Sequence, residues 1–411
     1  MSKLEELIQE LCPDGVETFP LEECCNILDK KRKPVTKNSR EKGEYPYYGA
    51  NGVQDYVSDY IFNGKFVLVG EDGSVITKSG TPVVTWAEGK IWVNNHAHVI
   101  EEKSGTMLRY LYFYIQTIDV TSLIHGNIPK LTGRDFRSLK IALPPLEIQR
   151  EIVSILDNFT ELTAELTAEL TARKTQYTYY RDKLLANSYK GEIKQLEECC
   201  DSIADGDHQA PPKADSGVPF ITISDIDERH EINLNVTKYV PDEYYNRLAD
   251  KRRPQKGDVL YTVVGSYGIP VYISENKRFV FQRHIAILRP NNAVIDSRYL
   301  YHAMNGTAFH RQADLAAKGA AQKTIGLASL AKMTVPVPPL DVQNRIVNVL
   351  DNFEKICSDL NIGLPAEIEA RQKQYEYYRD KLLTFAETGN TILNGTERNG
   401  TERNGTERNG T

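Results

Sequence analysis

The strongest pattern of apolar and polar positions lies at Ile152, Leu156, Phe159, Leu162, Leu166 and Leu170, which recur every three or four residues among Thr, Glu and Arg. That spacing predicts a long amphipathic helix. It sits in a stretch that occurs twice. The first copy runs from Leu143-Pro144-Pro145-Leu146 through Gln149 and Ile155-Leu156-Asp157-Asn158-Phe159 to Tyr180-Arg181-Asp182-Lys183-Leu184-Leu185. The second runs from Val337-Pro338-Pro339-Leu340 through Gln343 and Val349-Leu350-Asp351-Asn352-Phe353 to Tyr378-Arg379-Asp380-Lys381-Leu382-Leu383. An amphipathic helix with one apolar stripe needs a partner, and the favoured partner is its own duplicate; packing of each stripe onto its own domain is the alternative.

Each copy follows a globular stretch opened by the same five residues, Leu21 to Cys25 and Leu196 to Cys200. A short amphipathic helix, Met1 to Leu11, precedes the first stretch. That stretch alternates β-prone runs (Phe66 to Val69, Pro82 to Trp86, Ile91 to Val93) with turn signals such as Gly89-Lys90 and Asn94-Asn95, and a helix is expected over Met107 to Gln116. The second stretch has strand composition at Gly257 to Gly265 and Phe279 to Ile287, yet is otherwise unlike the first. Leu21 and Leu196 are 175 positions apart and Pro144 and Pro338 are 194 apart, so the second stretch is 19 residues longer. The expectation is an α/β chain of two mixed domains alternating with two long helices that pair as an antiparallel coiled coil, duplicated about a pseudo-twofold. Its boundaries are 1–145, 146–190, 191–338, 339–386 and a tail at 387–411.

Within the first helix, Thr163-Ala164-Glu165-Leu166 is repeated as Thr167-Ala168-Glu169-Leu170. A four-residue insertion is a stutter that leaves the helix unbroken and lengthens it by about 6 Å. The second helix carries Gly363 and Pro365, which predict a kink or interruption. The tail repeats Asn394-Gly395-Thr396-Glu397-Arg398 from Asn399 and Asn404 and has no apolar face, the signature of disorder. A five-residue period follows from a five-base unit read in three frames, and AACGG is the unit that encodes it. Slippage of that unit would shift the reading frame.

A chain of 411 residues with 40% hydrophobic and 26% charged residues has the composition of a globular protein of two or more domains. No apolar run approaches the roughly 20 residues that span a bilayer, and the N-terminus carries Glu5, Glu6 and Glu10 instead of a signal peptide, so a cytoplasmic location and no membrane partner are expected. The six cysteines lack zinc-site spacing, and the vicinal pairs Cys24-Cys25 and Cys199-Cys200 are read as reduced core residues. No metal or cofactor is expected. Nor is a catalytic residue: no phosphate-binding glycine loop, dinucleotide fingerprint or H-E-x-x-H motif is present. Leu143-Pro144-Pro145-Leu146 superficially resembles the Asn/Asp-Pro-Pro-aromatic box of amino-methyltransferases, but leucine cannot accept a hydrogen bond from a target amine.

The net charge of −6 does not announce a nucleic-acid binder, whereas local clusters do: Lys30-Lys31-Arg32-Lys33 with Lys37 and Arg40, and Lys251-Arg252-Arg253. Expected loops carry side chains suited to base edges. In the first domain these are Tyr47, Tyr48, Asn51, Asn94, Asn95 and His96; in the second, His208, Gln209, Ser266, Tyr267, Gln282, Arg283 and His284. Singly each reads as a turn former or capped strand end. Together with the basic clusters, doubled on two unlike domains, they favour base readout.

The Pro-Pro-Leu-x-x-Gln start, the Leu-Asp-Asn-Phe core, the closing Tyr-x-Tyr-Tyr-Arg-Asp-Lys-Leu-Leu and the Thr-Ala-Glu-Leu units resemble the DNA specificity (S) subunits of type I restriction-modification systems, over all but the tail. The resemblance implies a non-catalytic subunit whose two target recognition domains each read half of an asymmetric bipartite site in double-stranded DNA. It further implies that the helix pair sets the half-site spacing and docks two adenine methyltransferase (M) subunits, with restriction (R) subunits supplying nuclease and translocase. Docking and packing are weighed equally for Tyr177, Tyr180, Tyr375 and Tyr378. The competing readings are a self-sufficient methyltransferase, which would need cofactor motifs, and a coiled-coil scaffold without a DNA role.

Overall fold

A computed structural model describes residues 3–73, 75–187, 192–206, 211–320, 322–359 and 363–388. His208, Gln209 and the pentapeptide repeat lie outside them. The chain divides into two compact units, one of residues up to Ala164 with the segment from Ala370 onward, the other Glu165–Glu369.

In the first unit, α1 (Lys3–Leu11) precedes a six-stranded sheet of β1 (Asn26–Ile27), β2 (Lys42–Gly49), β3 (Gly52–Val57), β4 (Phe62–Gly70), β5 (Val84–Val93) and β6 (Ala97–Glu101), in the order β1-β6-β4-β5-β2-β3. Only β2 and β5 run parallel. The run expected to turn at Gly89-Lys90 instead continues as the single strand β5. The reason is local: Gly89 (φ 86°) lies opposite Gly64 (φ 152°), and these two permissive positions let the ladder pass without a turn. Helix α2 (Leu108–Ile115) covers the sheet, burying Leu108, Leu111 and Phe113 with Val67 and Ile100.

The second unit has a four-stranded antiparallel sheet of β7 (Cys200–Asp205), β8 (Val259–Thr262), β9 (Pro270–Tyr272) and β10 (Ile285–Pro290), ordered β7-β10-β8-β9. The expected strand over Phe279 to Ile287 is two. Val280–Phe281 pairs with Val218–Ile221 in another sheet, and the chain turns at Arg283-His284 before β10.

The duplication is visible in both units. Thr18–Pro20 pairs antiparallel with Lys140–Ala142, and Glu192–Gln195 with Thr334–Val337. Each first strand runs into a Leu-Glu-Glu-Cys turn of helix, Leu21–Cys24 or Leu196–Cys199, whose leading amide bonds to the opposite arm, Leu21 to the Leu139 carbonyl at 2.8 Å and Leu196 to Met333 at 2.9 Å. Cys24, Cys25 and Cys199 are buried and all six cysteines are free thiols. Burial pushes the Cys25 thiol up to about 12, which suits a packing role.

Helix α3 (Leu146–Asn187) is unbroken through the Thr-Ala-Glu-Leu units. Its threonine hydroxyls donate to carbonyls one turn back, Thr163 to Phe159 at 2.9 Å and Thr171 to Thr167 at 3.0 Å, so they add no unsatisfied polar group. The second copy is two helices, α5 (Leu340–Ser358) and α6 (Leu364–Thr388), with α4 (Ser297–Met304) preceding them in the second domain. The break has a backbone cause. A Cβ at Gly363 would stand 2.6 Å from the carbonyl oxygens of Asp359 and Lys355, and Pro365 sits in the first turn of α6, where its missing N–H costs no bond.

The apolar stripe is shared out. Ile148, Ile152 and Leu156 are buried in the first domain's own core, together with Leu382 and Leu383 of α6. The alternative of packing onto the stripe's own domain therefore holds for its first turns. In the second unit Ile346 and Leu350 of α5 pack into the second domain's core with Leu185 of α3. There α3 and α5 run antiparallel: Tyr180 meets Phe353, whereas Lys174, earlier in α3, lies near Cys357, later in α5.

Candidate nucleic-acid interface

In the first unit, the β2–β3 hairpin, the loop after β4 and the turn before β6 meet at one end of the sheet. Asn51, Gln54, Asp72, His96, Ile128 and Lys130 line a concavity of about 500 Å³ there. Asn51, Asn95 and His96 are exposed, and the His96 imidazole pairs with Asp72. Asn94, 3% exposed, is a brace: its Oδ1 accepts from the His96 amide at 2.8 Å and its Nδ2 donates to Gln54 at 3.4 Å.

Tyr47, Tyr48 and Arg32, also among the expected readers, are framework residues like Asn94. Tyr47 is 1% exposed, its hydroxyl 3.0 Å from the Val35 amide and its ring under the Arg40 guanidinium at 4.0 Å. Arg32 donates to Glu71 at 2.6 Å and to the Ala97 carbonyl at 2.8 Å, so its guanidinium is spent inside the domain. Tyr48 is nearly buried, which raises its phenol pKa. Lys30 and Lys31 remain exposed.

The second unit gathers loops at the corresponding end. The Val263 amide donates to the His284 carbonyl at 2.9 Å, and Gly265 to Lys323 at 2.9 Å, so the Ser266-Tyr267 loop, the Arg283-His284 turn and the 318–324 loop lie side by side. Ser266 and Arg283 are exposed; Gln282 and His284 are half-buried. Tyr267 donates to Asp314 at 2.9 Å. In the basic cluster Lys251 is exposed, Arg252 lies 3.9 Å from Asp205 and Arg253 3.9 Å from Asp250.

Among the described residues, two carboxylate–histidine groups have metal-ligand spacing, Asp29/Glu71/His98 and His302/Asp351/Glu354. In both an arginine already supplies the positive charge. Arg32 pairs with Glu71 at 2.6 Å, and Arg298 with Asp351 at 2.8 Å and also with Glu354. Burial alone would raise the Asp351 pKa; the hydrogen bond from His302 and the Arg298 charge outweigh it and hold this carboxyl below the usual range. Asp29 is lowered in the same way by His98 and Arg32 against its own burial.

On the long helices, Tyr177 reaches His302 at 3.4 Å and Tyr375 lies against Phe113 at 6.3 Å; both face inward. Tyr180 and Tyr378 stack on Phe353 and Phe159. The most exposed of these tyrosines are their neighbours Tyr179 (58%) and Tyr377 (48%), and Tyr180 keeps 38% of its surface exposed.

Gln149 and Gln343 mark the repeat in sequence without showing a role, and the arginines set beside them, Arg109 and Arg298, lie outside it. Gln149 and Gln343, both fully buried, each make three backbone bonds. Gln149 accepts from the Met107 amide (2.8 Å) and donates to Gly105 (3.1 Å) and Pro144 (2.8 Å). Gln343 accepts from Asp296 (2.7 Å) and donates to Val294 (3.1 Å) and Pro338 (2.7 Å). The signal for the helices they hold was Arg-Tyr-Leu-Tyr, present at 109–112 and again at 298–301. Its arginines pair with the Asp of Leu-Asp-Asn-Phe, Arg109 with Asp157 at 2.7 Å and Arg298 with Asp351 at 2.8 Å. Its tyrosines donate to the outgoing strand, Tyr110 to Ala142 at 2.8 Å and Tyr299 to Pro336 at 3.0 Å.

The type I restriction modification DNA specificity domain matches this chain twice, over residues 13–173 and 190–370. The chain belongs to the DNA specificity subunits of type I restriction-modification systems. A putative type I restriction enzyme specificity subunit of Haemophilus influenzae is 35% identical over 93% of this chain and 98% of that protein. The EcoR124I/EcoR124II specificity subunit of Escherichia coli is 34% identical over 69% of this chain and 72% of its own. Among solved structures, the S subunit of a type I system from M. genitalium superposes with a TM-score of 0.53 at 14% identity, covering 90% of this chain and 97% of that one. A chain from a type I system studied for complex assembly gives 0.57 at 18%, covering 90% and 98%. These two likenesses establish the fold of the specificity subunit. Among its described residues, no helix is long and apolar enough to cross a membrane.

Proposed function

We propose that this specificity subunit is the non-catalytic DNA reader of its complex. Its two domains, 1–145 and 191–338, each read one half of an asymmetric bipartite site in double-stranded DNA. The exposed side chains Asn51, Asn95, His96, Ser266 and Arg283 make base contacts, and Lys30, Lys31 and Lys251 supply phosphate contacts. The helical segments 146–190 and 339–386 set the half-site spacing and dock two adenine methyltransferase subunits, with restriction subunits completing the assembly. The outward Tyr179 and Tyr377 supply the docking contacts.

The observation that carries this reading is the duplication of the scaffold without duplication of the readers. The glutamine clamp, the Arg–Asp pair and the Phe–Tyr stack recur in both units, whereas the loops at the sheet ends differ: Asn51, Gln54 and His96 against Ser266, Tyr267 and Arg283. Methylome sequencing of cells expressing the chain with its methyltransferase tests it. One bipartite adenine-methylated motif with unlike halves is expected. Methylation without a motif, or motif methylation by the methyltransferase alone, overturns it.

A further inference from the structure

Each recognition domain meets its long helix at a joint built from equivalent residues in both units. In the first unit Arg109, at the start of α2, donates from Nε to Asp157 of α3 at 2.7 Å. Its guanidinium lies over the rings of Trp86, Tyr112 and Phe113 at 4.9, 4.6 and 4.7 Å. In the second unit Arg298, at the start of α4, donates to Asp351 of α5 at 2.8 Å and lies over Tyr272 and Tyr301 at 5.2 and 4.5 Å. Beside each pair lies a cleft. One of about 710 Å³ is lined by Lys65, Trp86 and Glu101 on the sheet side and by Val153 and Asp157 on α3. The other, about 790 Å³, is lined by Tyr272 and Phe279 on the domain side and by Val347 and Asp351, the equivalents of Val153 and Asp157, on α5. Apolar packing therefore leaves this side of each joint open, and the arginine is a side chain that ties domain to helix there.

The two joints differ in what reinforces them. In the second unit His302 Nε2 stands 2.7 Å from the same Asp351 oxygen, Tyr301 donates to Glu354 at 2.8 Å, and Arg298 also pairs with Glu354. In the first unit Phe113 takes the position of His302 and Thr160 that of Glu354. The Thr160 hydroxyl bonds within its own helix, to the Leu156 carbonyl at 3.0 Å. The Arg109–Asp157 pair thus lacks the partners that support its counterpart. Any distance from one set of reading loops to the other runs through both joints, so a tilt at either changes it as a change of helix length does. We propose that Arg109 is a positioning residue that, through Asp157, fixes the angle of the first recognition domain on α3 and so holds the half-sites to one spacing. This rests on the functional reading above.

The test uses the full chain in complex with its methyltransferase subunits. Initial rates of methyl transfer are measured on duplexes carrying the methylated motif at its own spacing and with one base pair added or removed. Wild type is compared with Arg109→Met, Asp157→Ala, Asp157→Asn and the double variant Arg109→Met/Asp157→Ala. Arg109→Met and Asp157→Ala should each lower the preference for the native spacing by about fivefold, the ratio that corresponds to about 1 kcal/mol. Asp157→Asn, whose amide oxygen can still accept from Arg109, should keep most of the preference, and the double variant should be no worse than either single one. The ratio of rates between duplexes cancels any loss of folded protein, so instability alone leaves the preference unmoved. An unchanged preference in Arg109→Met and Asp157→Ala, or losses that add in the double variant, would overturn the proposal while leaving the functional reading intact. A wild-type complex that methylates all three duplexes equally overturns the functional reading instead.

Discussion

The ring of Phe159 stacks on that of Tyr378, centroids 5.4 Å apart and planes 22° from parallel. Phe353 and Tyr180 repeat the arrangement at 5.9 Å and 25°. In both units the Asp-Asn-Phe segment of one repeat thereby meets the closing tyrosine of the other. An offset-stacked pair contributes about 1 kcal/mol beyond its buried area. A double-mutant cycle of Phe159→Ala and Tyr378→Ala, read by chemical denaturation, should show a coupling of about that size. Strict additivity would mean the stack is incidental.

The glutamine clamps predict a cost set by what is left behind. Replacing Gln149 or Gln343 with leucine keeps the side chain's bulk but strands one buried amide and two carbonyls. The expected loss is on the order of 3 kcal/mol, visible as a lowered denaturation midpoint. A loss under about 0.5 kcal/mol would show that solvent takes over these bonds.

Asp29 and Asp351 make stability depend on acid. Their folded pKa values lie below the unfolded carboxylate value of about 3.9. Their contribution is therefore complete above that value and is lost as pH falls through the lower folded pKa. Stability measured from pH 6 down should begin to drop near about pH 4, and Asp351→Asn should be less stable at pH 6 with a shallower acid limb. An acid limb of unchanged depth in Asp351→Asn would remove Asp351 from this account.

Deleting Thr167 to Leu170 shortens α3 by four residues, about 6 Å along its axis. At roughly 3.4 Å per base pair, the spacer between half-sites should shrink by one or two base pairs with both half-motifs kept. Mapping methylated adenines measures this, and an unchanged spacer at full activity would deny the helix a ruler role.

Much of the scaffold was legible because its signals are local. The 3.6-residue period at Ile152, Leu156 and Phe159 specified α3, and Gly363 with Pro365 specified where the second copy breaks, since both act on the backbone within a turn or two. The site was less legible. Tyr47 and Tyr48 looked alike to Asn51 in sequence, yet the first two lie inside a strand whose register shifts between them and are buried, whereas the third stands exposed at a hairpin tip.

By itself the sequence determined the duplication, the two helical segments and the unlike character of the two domains, because repeated residues and helical periodicity need no distant partner to be read. Tertiary structure alone decided which charges are free and which are spent. Whether Arg32 is spent inside the domain depends on Glu71, 39 positions away. Whether Tyr177 or Tyr179 faces solvent depends on a histidine 125 positions from Tyr177. Such partners meet only after the strands have ordered themselves, so no local window of sequence contains them.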